Sequence, residues 1–418
     1  MKTKNPLLQS ANILPVLRGR IPGQVVIQYT NKCNATCPQC SMRKTEAIQR
    51  NTLSEDEICR IIDSAAGQNV QALSFTGGEP FLNTPSLLRL LQYASDTDIP
   101  YIRTGTNGFM FTNSDSGNYT DRIHRFAEEL SKTRLRNFWI SIDSADPQTH
   151  QQMRGLEGVI KGIEKALPIF HEYSIYPAAN LGINRNTGGQ GKISMKMTDP
   201  DVFYGEFKEA LAHFYQFVID LGFTMVNACY PMSVDTESSP EMSAVYGATS
   251  SDTIITFTGA EKVQLFQALF DTIPEYRSKI RIFTPLASLY ALMKQYRGEE
   301  EFSLPCRGGI DFFFVDANDG NTYPCGYRGN ENLGKLYNLD IKEIENKPFC
   351  KECDWECFRD PSELMGYLIN SVHRPLRYIA NSGSEAEYRS IWKKDLKYYM
   401  SCDFFDGRKP MARNKKPG

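Results

Sequence analysis

Three cysteines fall within eight residues of one another, directly after a short apolar run from Val25 to Tyr29. Their spacing is Cys33-x3-Cys37-x2-Cys40. Three thiolates this close together can bind three irons of a cubane iron–sulfur cluster, and the lack of a fourth cysteine leaves one iron open to an outside molecule. A structural zinc loop is the alternative, because zinc also binds closely spaced cysteines. Any fold of this chain must therefore present these three side chains to one point.

The 11 cysteines are more informative than the rest of the composition. Met1 to Arg20 lacks the long apolar segment and the cleavage site of an export signal, so we predict a cytoplasmic protein whose thiols stay reduced. No apolar run is long enough for a membrane span, and 47 basic against 49 acidic residues do not favour nucleic acid as a partner. Binding of metals or clusters is then the natural use of grouped cysteines.

Five further cysteines form a second group in the last third of the sequence: Cys306, Cys325, Cys350, Cys353 and Cys357. The first two stand at the base of a predicted β-hairpin, in which an aromatic strand from Phe312 to Val315 leads into the turn Asn318-Asp319-Gly320-Asn321. The remaining cysteines are isolated, and we expect them to serve as small apolar residues in structured segments: Cys59, Cys229 and Cys402.

Predicted strands alternate with predicted helices over residues 25–228. The strands cover residues 25–29, 70–75, 101–104, 137–142, 178–183 and 223–228. Capping boxes such as Ser54 to Glu57 mark helix starts between them. We therefore predict an α/β fold: a partial (β/α)6 TIM-like barrel, followed by a small cysteine-rich α+β domain and a helical C-terminal segment. The cysteine loop and the Gly-rich turns follow strands, so they should lie at the end of the barrel where active sites are built.

Composition and pattern also predict where the segments begin and end. The boundaries are 1–24 for an N-terminal extension, 25–232 for the barrel, 233–300 for a linker and helical segment, 301–360 for the cysteine-rich domain, and 361–418 for a helical segment with a basic tail.

In this context the first cysteine motif resembles that of the radical SAM enzymes. The resemblance implies a 4Fe-4S cluster on Cys33, Cys37 and Cys40, with the fourth iron left to the amino and carboxylate groups of S-adenosylmethionine (SAM). It also implies reductive cleavage of SAM to a 5′-deoxyadenosyl radical, fed by an external electron donor such as flavodoxin or ferredoxin. No catalytic side chain is assigned beyond the cluster.

Two other segments resemble parts of the same family. Residues 77–80 resemble its GGEP segment, and residues 139–144 resemble its fourth strand, which lies near SAM. The resemblance implies these SAM contacts: Gly77, Gly78, Glu79, Pro80, Ser141 and Asp143. Asn107 and Arg154 are further candidates, with the alternative that they cap a turn or pair on the surface. Gln39 departs from the family, which usually has an aromatic residue before the third cysteine, and this puts adenine packing in more doubt than cluster binding.

The second cysteine group is similar to the SPASM/twitch extensions of these enzymes. The similarity implies one auxiliary 4Fe-4S cluster held by Cys306, Cys325 and two of the three cysteines at positions 350, 353 and 357. A zinc site made by the same residues is the alternative. Four residues that follow the hairpin are expected to be either substrate contacts or ordinary loop residues: Tyr327, Arg328, Asn330 and Glu331.

The resemblance implies an oxidoreductase-type enzyme that abstracts hydrogen from a C–H bond of a peptide or protein, in an oxidation or cross-linking reaction. One alternative is a dehydrogenase or carbon-skeleton enzyme that acts on a small molecule. An alternative of another class is a non-catalytic regulatory protein whose cysteines bind zinc.

Overall fold

A single parallel sheet organises the part of the chain that the computed structural model describes, which is residues 15–40, 42, 50–231, 242–246, 251–299, 304–373 and 384–411. The strands are β1 (Gln24–Thr30), β2 (Ala72–Gly77), β3 (Tyr101–Thr106), β4 (Leu135–Ser141), β5 (Ala178–Gly182), β6 (Met225–Cys229), β7 (Arg281–Ile282), β8 (Phe312–Val315) and β9 (Thr322–Tyr323). Their order in the sheet is β7-β6-β5-β4-β3-β2-β1-β8-β9.

Helices follow the strands along the chain. They are α1 (Glu55–Gly67), α2 (Thr84–Ser95), α3 (Tyr119–Lys132), α4 (Pro147–Arg154), α5 (Val159–Glu172), α6 (Pro200–Asp220), α7 (Gly259–Tyr276), α8 (Leu286–Tyr296), α9 (Glu356–His373) and α10 (Ser384–Ser401). Short 3-10 turns cover Pro80–Asn83, Phe109–Phe111, Leu336–Asn338, Ile341–Glu343 and Asp403–Phe405.

Consecutive strands from β1 to β7 are neighbours and run parallel. This confirms the predicted barrel of strand–helix units followed by a cysteine-rich segment and C-terminal helices. The sheet continues past residue 232 through β7, whose two residues are too few to show a periodic pattern in the sequence.

Helix starts agree with the capping residues of the sequence. Ser54 accepts a hydrogen bond from the Glu57 amide at 3.2 Å, and Thr258 with Glu261 forms a complete capping box at the start of α7. Side chains on one face of each helix then pack against the sheet, as with Ile58, Ile61 and Ile62 of α1, which are fully buried.

The predicted hairpin is present and extends the barrel sheet. Strand β8 pairs parallel to β1, on the side away from β2, and antiparallel to β9. Asn31, at the end of β1, donates a hydrogen bond to Asn318 in the hairpin turn at 2.8 Å. The tip of the hairpin therefore contacts the base of the first cysteine loop.

The last long segment begins earlier than Pro361. Helix α9 starts at Glu356 and contains Pro361, which has no amide hydrogen to bond the Cys357 carbonyl one turn before it. The Gln24 side-chain amide, 3.5 Å away, donates to that carbonyl instead. The first turn of α9 thus stays attached to β1.

Candidate active site

One open cavity lies at the C-terminal ends of the barrel strands, with about 1400 Å³ of empty space including its mouth. All of the barrel residues for which the sequence predicts a role in binding the cluster or SAM line it: Cys33, Cys37, Cys40, Gly77, Gly78, Glu79, Pro80, Asn107, Ser141, Asp143 and Arg154. Residues up to 121 positions apart in the sequence therefore lie around one cavity. That they bind a cluster and SAM there stays a prediction.

Backbone hydrogen bonds fix the cysteine loop in this cavity. The Gly78 amide donates to the Thr30 carbonyl at 2.7 Å, and the Glu79 amide donates to the Lys32 carbonyl at 2.8 Å. On the other side of the loop, the Thr36 amide donates to the Arg154 carbonyl at 2.9 Å. The loop is thus held between the end of β2 and the end of α4.

The two glycines before Glu79 are required by this close approach. Gly77 has φ +140°, and a Cβ atom on it would lie 2.1 Å from the Thr30 carbonyl oxygen. A Cβ atom on Gly78 would lie 2.2 Å from the Lys32 carbonyl oxygen and 3.0 Å from the Cys33 Cβ atom. The glycines therefore make room for the cysteine loop, which is a local structural reason for them in addition to the predicted approach of SAM.

Glu79 and Asn107 connect neighbouring strand ends. The buried Glu79 carboxylate accepts hydrogen bonds from the Phe81 amide at 3.0 Å and from the Asn107 amide at 2.6 Å. Burial raises the pKa of Glu79 to about 7, against the effect of these donors. The Asn107 side chain in turn donates to the Asn34 side-chain oxygen Oδ1 at 2.9 Å, and its Nδ2 atom lies 3.6 Å from the Cys33 sulfur.

Asp143 and Arg154 form a buried ion pair beside the cysteines. The Arg154 Nη2 atom donates to Asp143 Oδ1 at 2.9 Å, and its Nε atom lies 2.8 Å from Oδ2. Gln39 also donates to Oδ2, at 3.0 Å. Gln39, the residue that departs from the family pattern, therefore connects the cysteine loop to the segment after β4. The two residues are 104 positions apart, so no local motif predicts this contact.

Ser141 and Trp139 are two residues apart and therefore lie on the same, inner face of β4. Both are half-buried and line the cavity, and the Trp139 ring lies against Gly105, where a Cβ atom would be 2.2 Å from the indole. On β3, the same alternation that places Gly105 and Asn107 in the cavity also places Arg103 there. Period-two spacing from Gly105 and Asn107 is the sequence signal that identifies Arg103 as a cavity residue.

A second, smaller cavity of about 350 Å³ lies against the hairpin. Four of the five cysteines of the second group line it: Cys306, Cys325, Cys350 and Cys353. The Cys306 amide donates to the Cys350 carbonyl at 2.8 Å, and backbone amides of Gly308 and Tyr327 lie 3.4 Å from the Cys306 and Cys325 sulfurs. Arg328 lines this cavity, and Tyr327 packs on Trp355 near it, so both belong to the second site.

Cys357 lies elsewhere, in the first cavity. It occupies the first turn of α9, and its thiol donates to Glu356 Oε1 across 3.6 Å. Burial raises the pKa of Glu356 to about 7. Cys229, which was expected only to pack, lines the same cavity and contacts the Asn180 side chain. We therefore predict that Cys350 and Cys353 complete the four auxiliary ligands and that Cys357 is not one of them.

Both cysteine sets fit the groups predicted for them. Amide donors at 3.4 Å from the Cys33, Cys306 and Cys325 sulfurs suit thiolate ligands. Burial raises the pKa of Cys37 and Cys325 to about 12, so these thiols ionise at neutral pH only with a bound metal, which deprotonates its cysteine ligands. In the described ranges, no three His, Cys, Asp or Glu side chains are grouped closely enough for a single ion. A cubane cluster holds its cysteines farther apart, at its outer corners.

Comparison with known proteins agrees with this geometry. Residues 27–181 match the family model of the radical SAM superfamily. These residues are a radical SAM domain. This domain makes up 155 of the 418 residues, and the cofactors of such a domain are SAM and a 4Fe-4S cluster. Within the ranges that the structure covers, no helix is both long and apolar enough to cross a membrane.

Individual relatives extend the comparison beyond the radical SAM domain. An AdoMet-dependent heme synthase of Methanosarcina barkeri is 23% identical over 346 residues, which are 82% of this chain and 87% of the relative. A probable GTP 3′,8-cyclase of Methanococcus maripaludis is 29% identical over 146 residues, but these are only 34% of this chain and 45% of the cyclase. The crystal structure of anSMEcpe with bound AdoMet and Kp18Cys peptide superimposes with a TM-score of 0.51 at 15% identity, covering 78% of this chain and 81% of that one.

Proposed function

We propose that this radical SAM enzyme abstracts a hydrogen atom from a substrate C–H bond that is held in the first cavity. The observation that carries the proposal is that Cys33, Cys37, Cys40, the Gly77–Pro80 turn and Ser141 share one cavity at the C-terminal ends of the barrel strands. When bound at the three cysteines and reduced by a donor such as flavodoxin or ferredoxin, the cluster and SAM supply a 5′-deoxyadenosyl radical.

The chain itself supplies position and shielding. The Asp143–Arg154 pair and Gln39 hold the cysteine loop against β4, and Glu79 holds the turn after β2 against β3. Aromatic side chains of Tyr246 and Trp355, whose ring centroids are 5.8 Å apart, close one wall of the cavity. These two rings exclude water from that side of the cavity, which protects a reactive intermediate from side reactions.

For the substrate, we propose a peptide or protein segment. The cavity has an open mouth, so a segment of a longer chain can enter it without being released from its parent protein. The auxiliary site beside the cavity suits an oxidation or a cross-link, because a cluster at that position can accept an electron from the substrate.

A small molecule is the second candidate. It is favoured by the similarity to a heme synthase over most of both chains, whereas the likeness to anSMEcpe concerns the fold alone. Size fractions of a cell extract separate the candidates: the fraction that increases 5′-deoxyadenosine formation by the enzyme contains the substrate, below about 1 kDa for a small molecule and above it for a peptide.

Reconstitution under anaerobic conditions tests the central proposal. The wild-type protein should be brown, contain about eight irons per chain if it holds two cubane clusters, and convert SAM to 5′-deoxyadenosine under reduction. Cys37→Ala should abolish that conversion, whereas Cys402→Ala, which removes a thiol remote from both cavities, should retain it. Colourless protein with stoichiometric zinc would instead identify the zinc-binding alternative.

A further inference from the structure

The inner part of the first cavity contains an arginine that no predicted role uses. Arg103 lies on β3, two residues before Gly105, and is paired in register with Ser74 on β2. Its Nε atom donates a hydrogen bond to the Ser74 hydroxyl at 2.6 Å. The side chain is half-buried and lines the cavity, with the Trp139 ring on the next inward position of the sheet.

The other charged groups of the cavity are engaged elsewhere. Arg154 and Asp143 neutralise each other, and the Glu79 carboxylate accepts two backbone amides. Within the described residues, Arg103 has no carboxylate at ion-pair distance, and Ser74 is its one hydrogen-bond partner. A half-buried guanidinium without a counter-charge loses hydration that only an anion restores in full.

Glu356 is the carboxylate of the protein itself that competes with an anionic ligand for the positive charge of Arg103. Its Oε1 atom accepts the Cys357 thiol, and its buried Oε2 atom has no partner among the residues described. Arg103 and Glu356 are both near Cys357, because each acts electrostatically on that thiol. No ion pair joins the two side chains in the described part of the chain, and Arg103 lines the open space.

The wall on the β5 and β6 side of the cavity is polar and uncharged. There, the Asn227 side chain donates to the Asn180 side-chain oxygen Oδ1 at 2.9 Å, and both residues line the cavity. A guanidinium that has no ion pair suits a planar anion, because its two Nη groups match the two oxygens of a carboxylate.

We propose that Arg103, oriented by Ser74, binds a carboxylate group of the substrate. This would place the anionic end of the substrate deep in the barrel and its reacting carbon nearer to Cys33, Cys37 and Cys40. The inference rests on the proposed function in treating the cavity as the substrate site. The carboxylate belongs either to a peptide side chain or to a small acid, and the test separates the two.

Binding of matched acid and amide probes to the anaerobic holoenzyme tests the inference. The small probes are 3-phenylpropionate and 3-phenylpropionamide, and the peptide probes are capped Ala-Glu-Ala and capped Ala-Gln-Ala. Binding is followed by tryptophan fluorescence, because Trp139 and Trp355 line the cavity. At about 0.3 kcal/mol per heavy atom, the small probes should bind in the millimolar range and the capped tripeptides at about 10 μM.

The wild type should prefer each acid to its amide by about tenfold. Arg103→Gln should abolish the preference, Arg103→Lys should retain part of it, and the exposed control Arg89→Gln should leave it unchanged. The probe pair with the larger preference identifies the source of the carboxylate. A larger preference for the tripeptide acid indicates a peptide side chain, and a larger preference for phenylpropionate indicates a small acid. If Arg103→Gln does not fold, judged by thermal unfolding, Ser74→Ala should weaken the preference.

Three results would overturn the inference. They are equal binding of acid and amide to the wild type, a preference that survives Arg103→Gln, and a preference that appears only in Glu356→Gln, which would mean that Glu356 neutralises Arg103. Formation of 5′-deoxyadenosine in the absence of substrate should persist in Arg89→Gln, which lies outside the cavity. A failure of SAM cleavage in the wild type would therefore refute the proposed function without altering the probe result.

Discussion

The two cysteine sites differ in shape and in surroundings. The first lies in a cavity with an open mouth and polar walls, next to a buried ion pair. The second is a quarter of that size and is walled by aromatic rings such as Trp355 and Phe358, whose centroids are 4.6 Å apart. An open polar site suits a group that exchanges its ligand in each turnover, whereas a closed site with four cysteines suits a group that stays bound.

The largest expected effect comes from removing cysteines of the second site one at a time. Cys325→Ala and Cys353→Ala should each lower the iron content from about eight to about four per chain, and should lose product while SAM is still cleaved. Cys357→Ala should keep about eight irons, because Cys357 lies in the first cavity. Iron analysis and chromatography of 5′-deoxyadenosine measure both quantities. Loss of iron in Cys357→Ala would show that the assignment of four ligands is wrong.

Breaking the ion pair should damage the first site alone. Asp143→Asn leaves the Arg154 guanidinium, 8% exposed as a residue, without its counter-charge, which should cost about 3–5 kcal/mol of unfolding free energy. Urea unfolding measures the cost, and titration with SAM should show weakened binding. Asp115→Asn is the control, because it removes an exposed ion pair with Lys161. It should change the free energy of unfolding by less than about 1 kcal/mol.

The first site should also be sensitive to acid through His150. Burial lowers the pKa of His150 to about 4, and its Nδ1 atom accepts the Asp143 amide at 3.1 Å. Between pH 6.5 and 4 the unfolded chain binds a proton at this position that the folded protein does not, so stability decreases with acidification, by up to roughly 3 kcal/mol.

The pH effect is isolated by comparing variants. Burial raises the pKa of Glu79 and of Glu356 to about 7, and these groups act in the opposite sense, since their stabilising contribution is lost as the pH rises toward 7. The difference in unfolding free energy between wild type and His150→Gln should therefore be measured at several pH values. A difference that is independent of pH would refute the assignment to His150.

A smaller effect distinguishes the glycines of the two sites. Gly78→Ala should displace the cysteine loop. Gly308→Ala should displace the Pro324 carbonyl, which lies 2.7 Å from the added Cβ atom. Each variant should lower the free energy of unfolding by about 1–3 kcal/mol. The first variant should lose SAM binding, and the second should lose auxiliary iron. Gly205→Ala in α6, where a Cβ atom meets nothing within 4 Å, should stabilise the protein by up to about 1 kcal/mol.

Much of the fold was readable because its signals are local. The strand before each polar turn, the capping boxes and the spacing of the first three cysteines are all contained in short windows, and the strand–helix alternation and the fold class are confirmed. Strand β7 was missed because two residues form no pattern, and α9 starts before the proline that suggested its beginning.

The site was only partly readable for a different reason. Gly77 and Gly78 line the cavity as predicted contacts of SAM, but the backbone that they accommodate in the structure is that of the cysteine loop, which is distant in sequence. The roles of Gln39 and Cys357 depend on which strand end or cavity each faces, and spacing along the chain does not specify this. The positions assigned to SAM stay predictions until ligand binding is measured.

The pairing of β8 with β1 has a consequence for how such a chain can change in evolution. Four backbone pairs, from Gln24 with Phe312 to Ile27 with Val315, join the hairpin to the first barrel strand. The separation of the two cysteine groups is therefore set by the sheet and not by the length of chain between them. Insertions and deletions in the connections between β6 and β8 can then accumulate and reshape the mouth of the cavity, while the path for an electron between the two groups keeps its length.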